Sequence, residues 1–363
     1  MTLSRRILKQ ALNLRLNTMS DDIKRIVFNQ ETEEDSVISL SLRPEKLKDF
    51  VGQEELVGNL QVALQAAKGR NEPLEHMLFS GPPGLGKTSL ANIIANEMNA
   101  RITVTSGPAI ERAGDFIGIL TNLERGDILF IDEIHRMSKT VEEFLYPAME
   151  SFKIDFIVDK GPYAKTINFN LKPFTLIGAT TRSGLLASPL RDRFGIFYHL
   201  DFYEVKDLAQ IIENSARKLA VDLETDAAFE IARRARGTPR IANRLLRRVR
   251  DYAQVNASKE RITLKLAQTA LERLQIDSAG LDELDRKILQ VIHKHYKGGP
   301  VGVEALAATL NEEVDTIVDV VEPYLLKSGF LKRTARGREL TEMALKHIHS
   351  NISSVSEPQK NLF

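Results

Sequence analysis

HMLFSGPPGLGKTSLANIIANEM, residues 76–98, is the stretch on which the fold turns. Its first five residues form an apolar run of strand length, and from Ser89 to Met98 the apolar positions recur at helical spacing. Between them Gly81-Pro82-Pro83-Gly84-Leu85-Gly86-Lys87-Thr88 matches G-x-x-x-x-G-K-[ST]. In such a loop the glycines let main-chain N–H groups wrap a phosphate chain, and the helix N-terminus adds partial positive charge. Lys87 then meets the β and γ phosphates, and the Thr88 hydroxyl binds Mg²⁺. A glycine-rich turn with a chance lysine is the competing reading, and the strand before and helix after the loop argue against it.

Outward from the loop, the short apolar runs 101–105 (RITVT), 127–131 (DILFI) and 174–178 (FTLIG) alternate with helical pattern. They predict an α/β domain on a mostly parallel sheet. Asp132 and Glu133 follow the 127–131 run directly. Carboxylates at a strand's carboxyl end face the ligand crevice of such a sheet. Asp132 is suited to hold Mg²⁺ through its water shell, and Glu133 to polarise the water that attacks the γ-phosphate; without the phosphate loop nearby, a solvated strand end would be the better reading. His135 has no second histidine at ligand spacing and reads as a non-metal residue. At 188–194, SPLRDRF predicts a helix start with serine as cap and proline at the first position. Arg191 and Arg193 then lie off the apolar side marked by Leu190 and Phe194. That fits an arginine completing a neighbouring subunit's site, or a surface ion pair with Asp192.

The chain has 363 residues, which suggests two to three domains. Fifty Lys plus Arg against 49 Asp plus Glu leave a net charge of +1, which argues against a wholly basic DNA-coating protein. The absence of cysteine removes disulfides, thiolate metal sites and cysteine nucleophiles. No apolar run approaches the roughly 18 residues that a membrane helix needs. Residues 1–18 form a basic amphipathic stretch; the reading favoured is a dispensable extension with Met19 as a second start, over a transit peptide or membrane-surface helix. Apolar spacing predicts a helix within 47–67, closed by Gly69, Asn71 and Pro73. Residues 153–158 and 164–170 alternate around Asp159-Lys160-Gly161-Pro162 as an inserted hairpin. Ile167 and Phe169 share one face of its second strand, covered by the core or offered to another protein.

From 203 to 277 the pattern is wholly helical. Residues 278–348 predict helices at 283–295, 303–310 and 314–327 and a basic strand pair at 329–341, together a winged helix. Lys332, Arg333, Arg336 and Arg338 sit on the wing, where cations meet phosphates without reading bases. The third helix carries Asp315, Asp319 and Glu322, acids that phosphate would repel. Residues 231–250 hold eight arginines and no acid, for contact with DNA or with a neighbour's carboxylates. Residues 349–363 lack a periodic apolar face and read as a mobile tail.

LRPEKLKDFVGQ (42–53), GPPGLGKTSLA (81–91), DILFIDEIHRM (127–137), GATTRSG (178–184), SPLRDRFG (188–195) and GTPRIANRLLRRVRD (237–251) together resemble the RuvB family, the AAA+ motors of Holliday junction branch migration. The resemblance covers about Met19 to Ile348. It implies an AAA+ P-loop ATPase domain at 19–202 with the hairpin at 153–170, a small helical lid at 203–277 and a C-terminal winged-helix domain at 278–348. It also implies nucleotide contacts: Leu42 and Arg43 by the adenine, Gly84, Gly86, Lys87, Thr88 and Ser89 in the phosphate loop, and Glu150, Ser151, Phe152 and Tyr203. Thr181 matches sensor 1, Arg193 the trans-acting finger and Arg240 the sensor 2 arginine. Arg333 and Arg338 match DNA contacts, and Ile167 with Phe169 the hydrophobic pair that grips RuvA.

ATP with Mg²⁺, a homohexameric ring on double-stranded DNA and four-way junctions without sequence specificity, a role in recombination and repair within the SOS response, contact with a RuvC-type junction resolvase, and a cytoplasmic location follow from the same resemblance. A clamp-loader-type ATPase would share the loop, Asp132-Glu133 and the finger, but not the hairpin together with a winged helix. A nonenzymatic ATP-gated DNA-binding regulator would not need Glu133 and Arg193.

Overall fold

The computed structural model describes residues 40–157, 166–256 and 261–355. The extension expected at 1–18, the hairpin tip at 158–165 and residues 356–363 lie outside them. The chain divides into two compact units: 43–211 with 237–241, and 212–236 with 242 onward and the described residues before 43.

The first unit is built on a five-stranded parallel sheet. Its strands are β1 (Met77–Ser80), β2 (Ile102–Ser106), β3 (Ile128–Asp132), β6 (Thr175–Thr180) and β7 (Ile196–His199), in the order β2-β3-β6-β1-β7, while β4 (Lys153–Ile157) and β5 (Thr166–Asn170) form the separate antiparallel hairpin. β3 and β6 are buried on both faces because helices cover a parallel sheet above and below, which is why they read as continuous apolar runs. β7 has no counterpart among the apolar runs of the sequence: only Tyr198 of its four residues is buried, so an edge strand of this length leaves almost no apolar signal. The predicted helix within 47–67 begins late. Leu47–Asp49 is one 3₁₀ turn, and α1 (Glu54–Arg70) starts only after Gly52 and Gln53 both take left-handed conformations. α2 (Lys87–Met98), α3 (Ala113–Thr121), α4 (Lys139–Ser151) and the single turn α5 (Ser188–Arg191) complete the unit. In α5 the cap is Ala187, without a side-chain bond, and Ser188 lies inside the helix.

The second unit takes in α6 (Val205–Lys218) from residue 212, α7 (Thr225–Arg233), α8 (Pro239–Asn256) from residue 242 and α9 (Leu264–Arg273). It continues through α10 (Glu283–Tyr296), α11 (Val303–Leu310), a π-helical turn at Thr316–Val321, α12 (Glu322–Lys327), β8 (Leu331–Thr334), β9 (Gly337–Leu340) and α13 (Glu342–Val355). The expected single helix at 314–327 thus contains a π turn. Pro323 has no N–H to donate and its ring crowds the carbonyl four residues back, so the turn before it widens. α13 runs past 349, into the segment expected to be a tail. Its packed first turns, with Ala344 and Ile348 buried, nucleate a helix that propagates into residues with no apolar face of their own.

Arg338, expected on the surface of the wing, is only 6% exposed. Its Nε and Nη2 donate to the two carboxylate oxygens of buried Glu322 at 3.1 and 2.7 Å, and its main chain pairs in both directions with Val301. Its guanidinium is therefore engaged by Glu322 in this structure and not displayed on the surface of the wing. The period-two pattern of a four-residue strand does not reveal which face the third helix covers. Removing one partner of such a pair strands a buried charge. Arg338→Ala should lower the winged helix's stability by about 3–5 kcal/mol, whereas Arg338→Met with Glu322→Leu should cost far less; thermal unfolding of the full chain distinguishes the two.

Candidate functional site

The phosphate loop fills the bend between β1 and α2, at the carboxyl edge of the sheet. Gly84 has φ +80°, and a Cβ there would come within 2.8 Å of the Thr238 methyl and 3.1 Å of the Arg240 Cβ. The glycine is thus required by backbone conformation and by the close approach of 237–241. Arg240 N–H donates to the Gly84 carbonyl at 3.3 Å, which ties the arginine to the loop. The Tyr203 hydroxyl donates to the Leu85 carbonyl at 3.1 Å, its N–H donates to the Gly237 carbonyl at 2.9 Å, and its ring lies where a Cβ on Gly52 would meet it at 2.9 Å. Burial, with Asp207 nearby, raises the Tyr203 hydroxyl above its ordinary range and keeps it a donor.

Lys87 is buried, and its Nζ donates to the carbonyls of Gly81 and Pro82 at 2.7 and 2.9 Å. Desolvation lowers its pKa to about 8 against the pull of Asp132 and Glu133, and Arg240 adds repulsion. A desolvated ammonium held by two neutral carbonyls is a place where phosphate oxygens gain most. Thr88 and Ser89, in the first turn of α2, are half-buried.

Asp132 closes β3 and its Oδ1 accepts from the Glu133 N–H at 3.0 Å. Glu133 is held at φ +48°, a strained value for a residue with a side chain. Its carboxylate accepts from the Thr181 hydroxyl at 3.3 Å and lies 3.3 Å from His135 Nδ1, which in turn is 2.9 Å from the Thr180 hydroxyl. His135 is therefore a second support for Glu133 that the sequence pattern does not disclose. Its signal, a single histidine two residues on, is no different from that of any core histidine. Among the described residues no group of three or more His, Cys, Asp or Glu is placed to hold a metal.

Arg193 belongs to a different cluster. Its guanidinium donates to the Pro189 carbonyl at 2.6 Å and to Glu150 at 3.1 Å, lies 4.8 Å from the centre of the Tyr146 ring, and leaves Nε buried without a hydrogen bond. Glu150, not Asp192, is its ion-pair partner here. Ser151 donates its hydroxyl to the Pro147 carbonyl, and Phe152 packs edge-on against His76 and Phe174. The three residues 150–152 thus adjoin Arg193 and the core, and these contacts do not join them to the phosphate loop. Arg43 is half-buried; Leu42 is buried, its carbonyl accepting from Lys218 at 3.3 Å.

On the hairpin, Phe169 opposes fully buried Ile154 and packs partly against the core, while Ile167, two residues nearer the tip, is 44% exposed. One apolar face therefore begins under the domain and emerges into solvent. On the wing Arg333 and Arg336 are exposed, and Lys332 pairs with Glu339 at 2.7 Å. The arginines of 231–250 are largely committed within their own unit: Arg233 and Arg234 to Glu230, Arg236 to Asp282 and Asp285, Arg248 and Arg250 to Asp251.

Family models match the chain from 42 to 349: the Holliday junction DNA helicase RuvB P-loop domain at 42–200, the RuvB AAA lid domain at 203–277 and the RuvB C-terminal winged helix domain at 278–349. A Holliday junction branch migration complex subunit RuvB of Chloroflexus aggregans is 57% identical over 325 residues, which span 90% of this chain and 93% of that protein. The solved Thermotoga maritima RuvB Holliday junction branch migration motor superposes with a TM-score of 0.79 at 54% identity, over 85% of this chain and 98% of that one. A mutant of the same Thermotoga maritima protein gives a TM-score of 0.80 over the same shares.

The state of Lys87 gives a pH dependence with a definite sign. Phosphate oxygens beside Nζ favour the ammonium and raise its pKa from about 8. Above pH 8 the free lysine is losing its proton, so nucleotide binding takes a proton up and affinity falls, by at most about tenfold per pH unit. Below pH 7 the group contributes no pH dependence. Calorimetry at pH 7 and pH 9, in buffers of different ionisation enthalpy, should show uptake only at pH 9.

Proposed function

The chain belongs to the RuvB family, and from that premise we propose that it is an ATP-hydrolysing motor that drives branch migration of Holliday junctions in recombination and DNA repair. The observation that carries the reading is the convergence of Lys87, Asp132, Glu133 and Arg240 on one glycine loop, with Glu133 backed by Thr181.

Lys87 and the loop N–H groups hold the β and γ phosphates of ATP. The Thr88 hydroxyl and the Asp132 carboxylate are hard oxygen donors that fit Mg²⁺, Asp132 through water, because this ion keeps much of its hydration and takes its other ligands from phosphate. Bound there, Mg²⁺ would neutralise charge on the phosphate oxygens. Glu133 orients and polarises the attacking water, held in place by Thr181 and His135. Arg240 senses the γ-phosphate. Arg193 acts on the nucleotide of the next subunit in a homohexameric ring. Its pair with Glu150 leaves it available for that role. Glu150 is 67% exposed, so the pair is worth at most about 1 kcal/mol and is readily exchanged for phosphate.

Duplex DNA meets Arg333, Arg336 and Lys332 of the wing through its phosphates, without sequence preference. RuvA meets the exposed end of the hairpin face at Ile167, with Phe169 anchoring that face to the domain. A RuvC-type resolvase shares the junction. Among the described residues no helix is long and apolar enough to cross a membrane, in keeping with work on cytoplasmic DNA. ATPase measurements with and without duplex DNA, followed by four-way-junction migration with added RuvA, test the whole reading. A clamp-loader-type enzyme would hydrolyse without migrating, and a nonenzymatic regulator would not hydrolyse.

Glu133→Gln should bind ATP normally and lose at least about a hundredfold in turnover, since the amide cannot polarise the water. Arg193→Ala should also bind and assemble, and hydrolyse poorly. Mixed rings of the two variants should regain part of the activity, because a subunit with intact Glu133 can sit beside one with intact Arg193. Turnover at every mixing ratio no higher than that of either variant alone would count against action in trans.

A further inference from the structure

Arg236 is the last residue before Gly237–Ile241, the segment that lies on the phosphate loop and carries Arg240. Both Arg236 and Gly237 are left-handed, at φ +57° and +68°, so the chain makes a tight reversal between them. The Arg236 side chain is 8% exposed and faces the winged helix. Its Nη1 lies 3.2 Å from Asp282 and 3.1 Å from Asp285, its Nη2 donates to the Val320 carbonyl at 3.4 Å, and its plane lies 4.9 Å from the centre of the Tyr324 ring. Asp282 and Asp285 are the reciprocal capping box of α10. One side chain thus grips the start of the first winged-helix helix and the turn that opens α12.

The far side of that same turn leads to the wing. Glu322, between Val320 and Tyr324, holds Arg338 of β9 in a buried pair and lies 3.9 Å from Arg333 Nε. The segment between the two arginines is the π turn at 316–321, which closes less tightly than an α-helical turn because Pro323 follows it. Coupling requires an element that both ends can bias, and this turn is held by Arg236 at Val320 and by Arg338 through Glu322.

We propose that Arg236 is a positioning residue that couples the sensor 2 segment to the DNA-binding wing through the turn at Val320–Tyr324. The inference rests on the motor reading and adds to it the route by which nucleotide state and DNA engagement influence each other. Arg236 itself touches neither nucleotide nor DNA.

The test uses the full-length ring. Removing Arg236 alone would strand the buried Asp285 carboxylate, so the variant is Arg236→Gln with Asp285→Asn, which removes both charges and leaves amide acceptors for the Asp282 N–H. Basal turnover, the KM for ATP and nucleotide-free DNA affinity should stay within about twofold of the wild type. The stimulation of turnover by duplex DNA should fall at least about fivefold, the lower end of usual coupling strengths. A purely structural role would move melting temperature and basal turnover together and leave the stimulation ratio alone. Hydrogen exchange of 316–327 in the wild-type ring on DNA gives a second measurement free of folding effects: exchange in that segment should differ between ADP and a slowly hydrolysed ATP analogue. Full DNA stimulation in the double variant, a loss of basal turnover equal to the loss of stimulation, or nucleotide-independent exchange at 316–327 would each overturn the proposal. A wild-type ring whose turnover ignores DNA would overturn the motor reading itself, which separates the two failures.

Discussion

The buried ammonium of Lys87 is the constraint around which the first unit is organised. An isolated charge in a protein interior is costly unless polar atoms surround it. Here the surroundings are two loop carbonyls close by and two carboxylates at the end of β3. To supply those carbonyls the loop must turn back on itself, which requires glycine at 84. Tyr203 and Arg240 hold the loop at the neighbouring carbonyls of Leu85 and Gly84. The parallel sheet places β1, β3 and β6 side by side, so that loop, carboxylates and Thr181 emerge along one edge.

The same economy of charge governs the second unit. A run of eight arginines in twenty residues suggests a basic surface when read as a string. In the folded chain most of them meet carboxylates: Glu230 serves two, Asp251 serves two, and the capping box of α10 serves Arg236. Arg338 and Glu322 repeat the pattern under the wing. The pairs that are buried on both sides, Arg234 with Glu230, Arg236 with Asp285 and Arg338 with Glu322, add little net stability beyond what apolar residues would give, yet they penalise every arrangement that separates them. They make the geometry between these helices specific.

Arg193 shows the opposite design. Its carboxylate partner is mostly exposed and its Nε has no hydrogen bond, so its ion pair is a weak one, while Pro189 and Tyr146 hold the rest of the guanidinium. The hairpin face likewise changes character along its length, covered at Phe169 and open at Ile167.

The amino-acid string by itself determined the P-loop, four of the five sheet strands, the strand-end carboxylates, the inserted hairpin and the three-helix-plus-wing pattern. Each of these depends on local periodicity or on a motif whose spacing is its own chemistry. What escaped it depends on contacts between residues distant in sequence. The edge strand β7 has one buried residue, so its pairing with β1 and not its composition makes it a strand. The helix start at Glu54 depends on two left-handed residues next to Tyr203, about 150 positions away. His135 gains its role only when Thr180 and Glu133 are brought to it. Whether an arginine faces solvent or a buried carboxylate is invisible in a basic run, since Arg333 and Arg338 share one hairpin and one pattern of neighbours; tertiary packing decided that Arg338 would meet Glu322, because only the folded third helix brings that carboxylate beneath the wing.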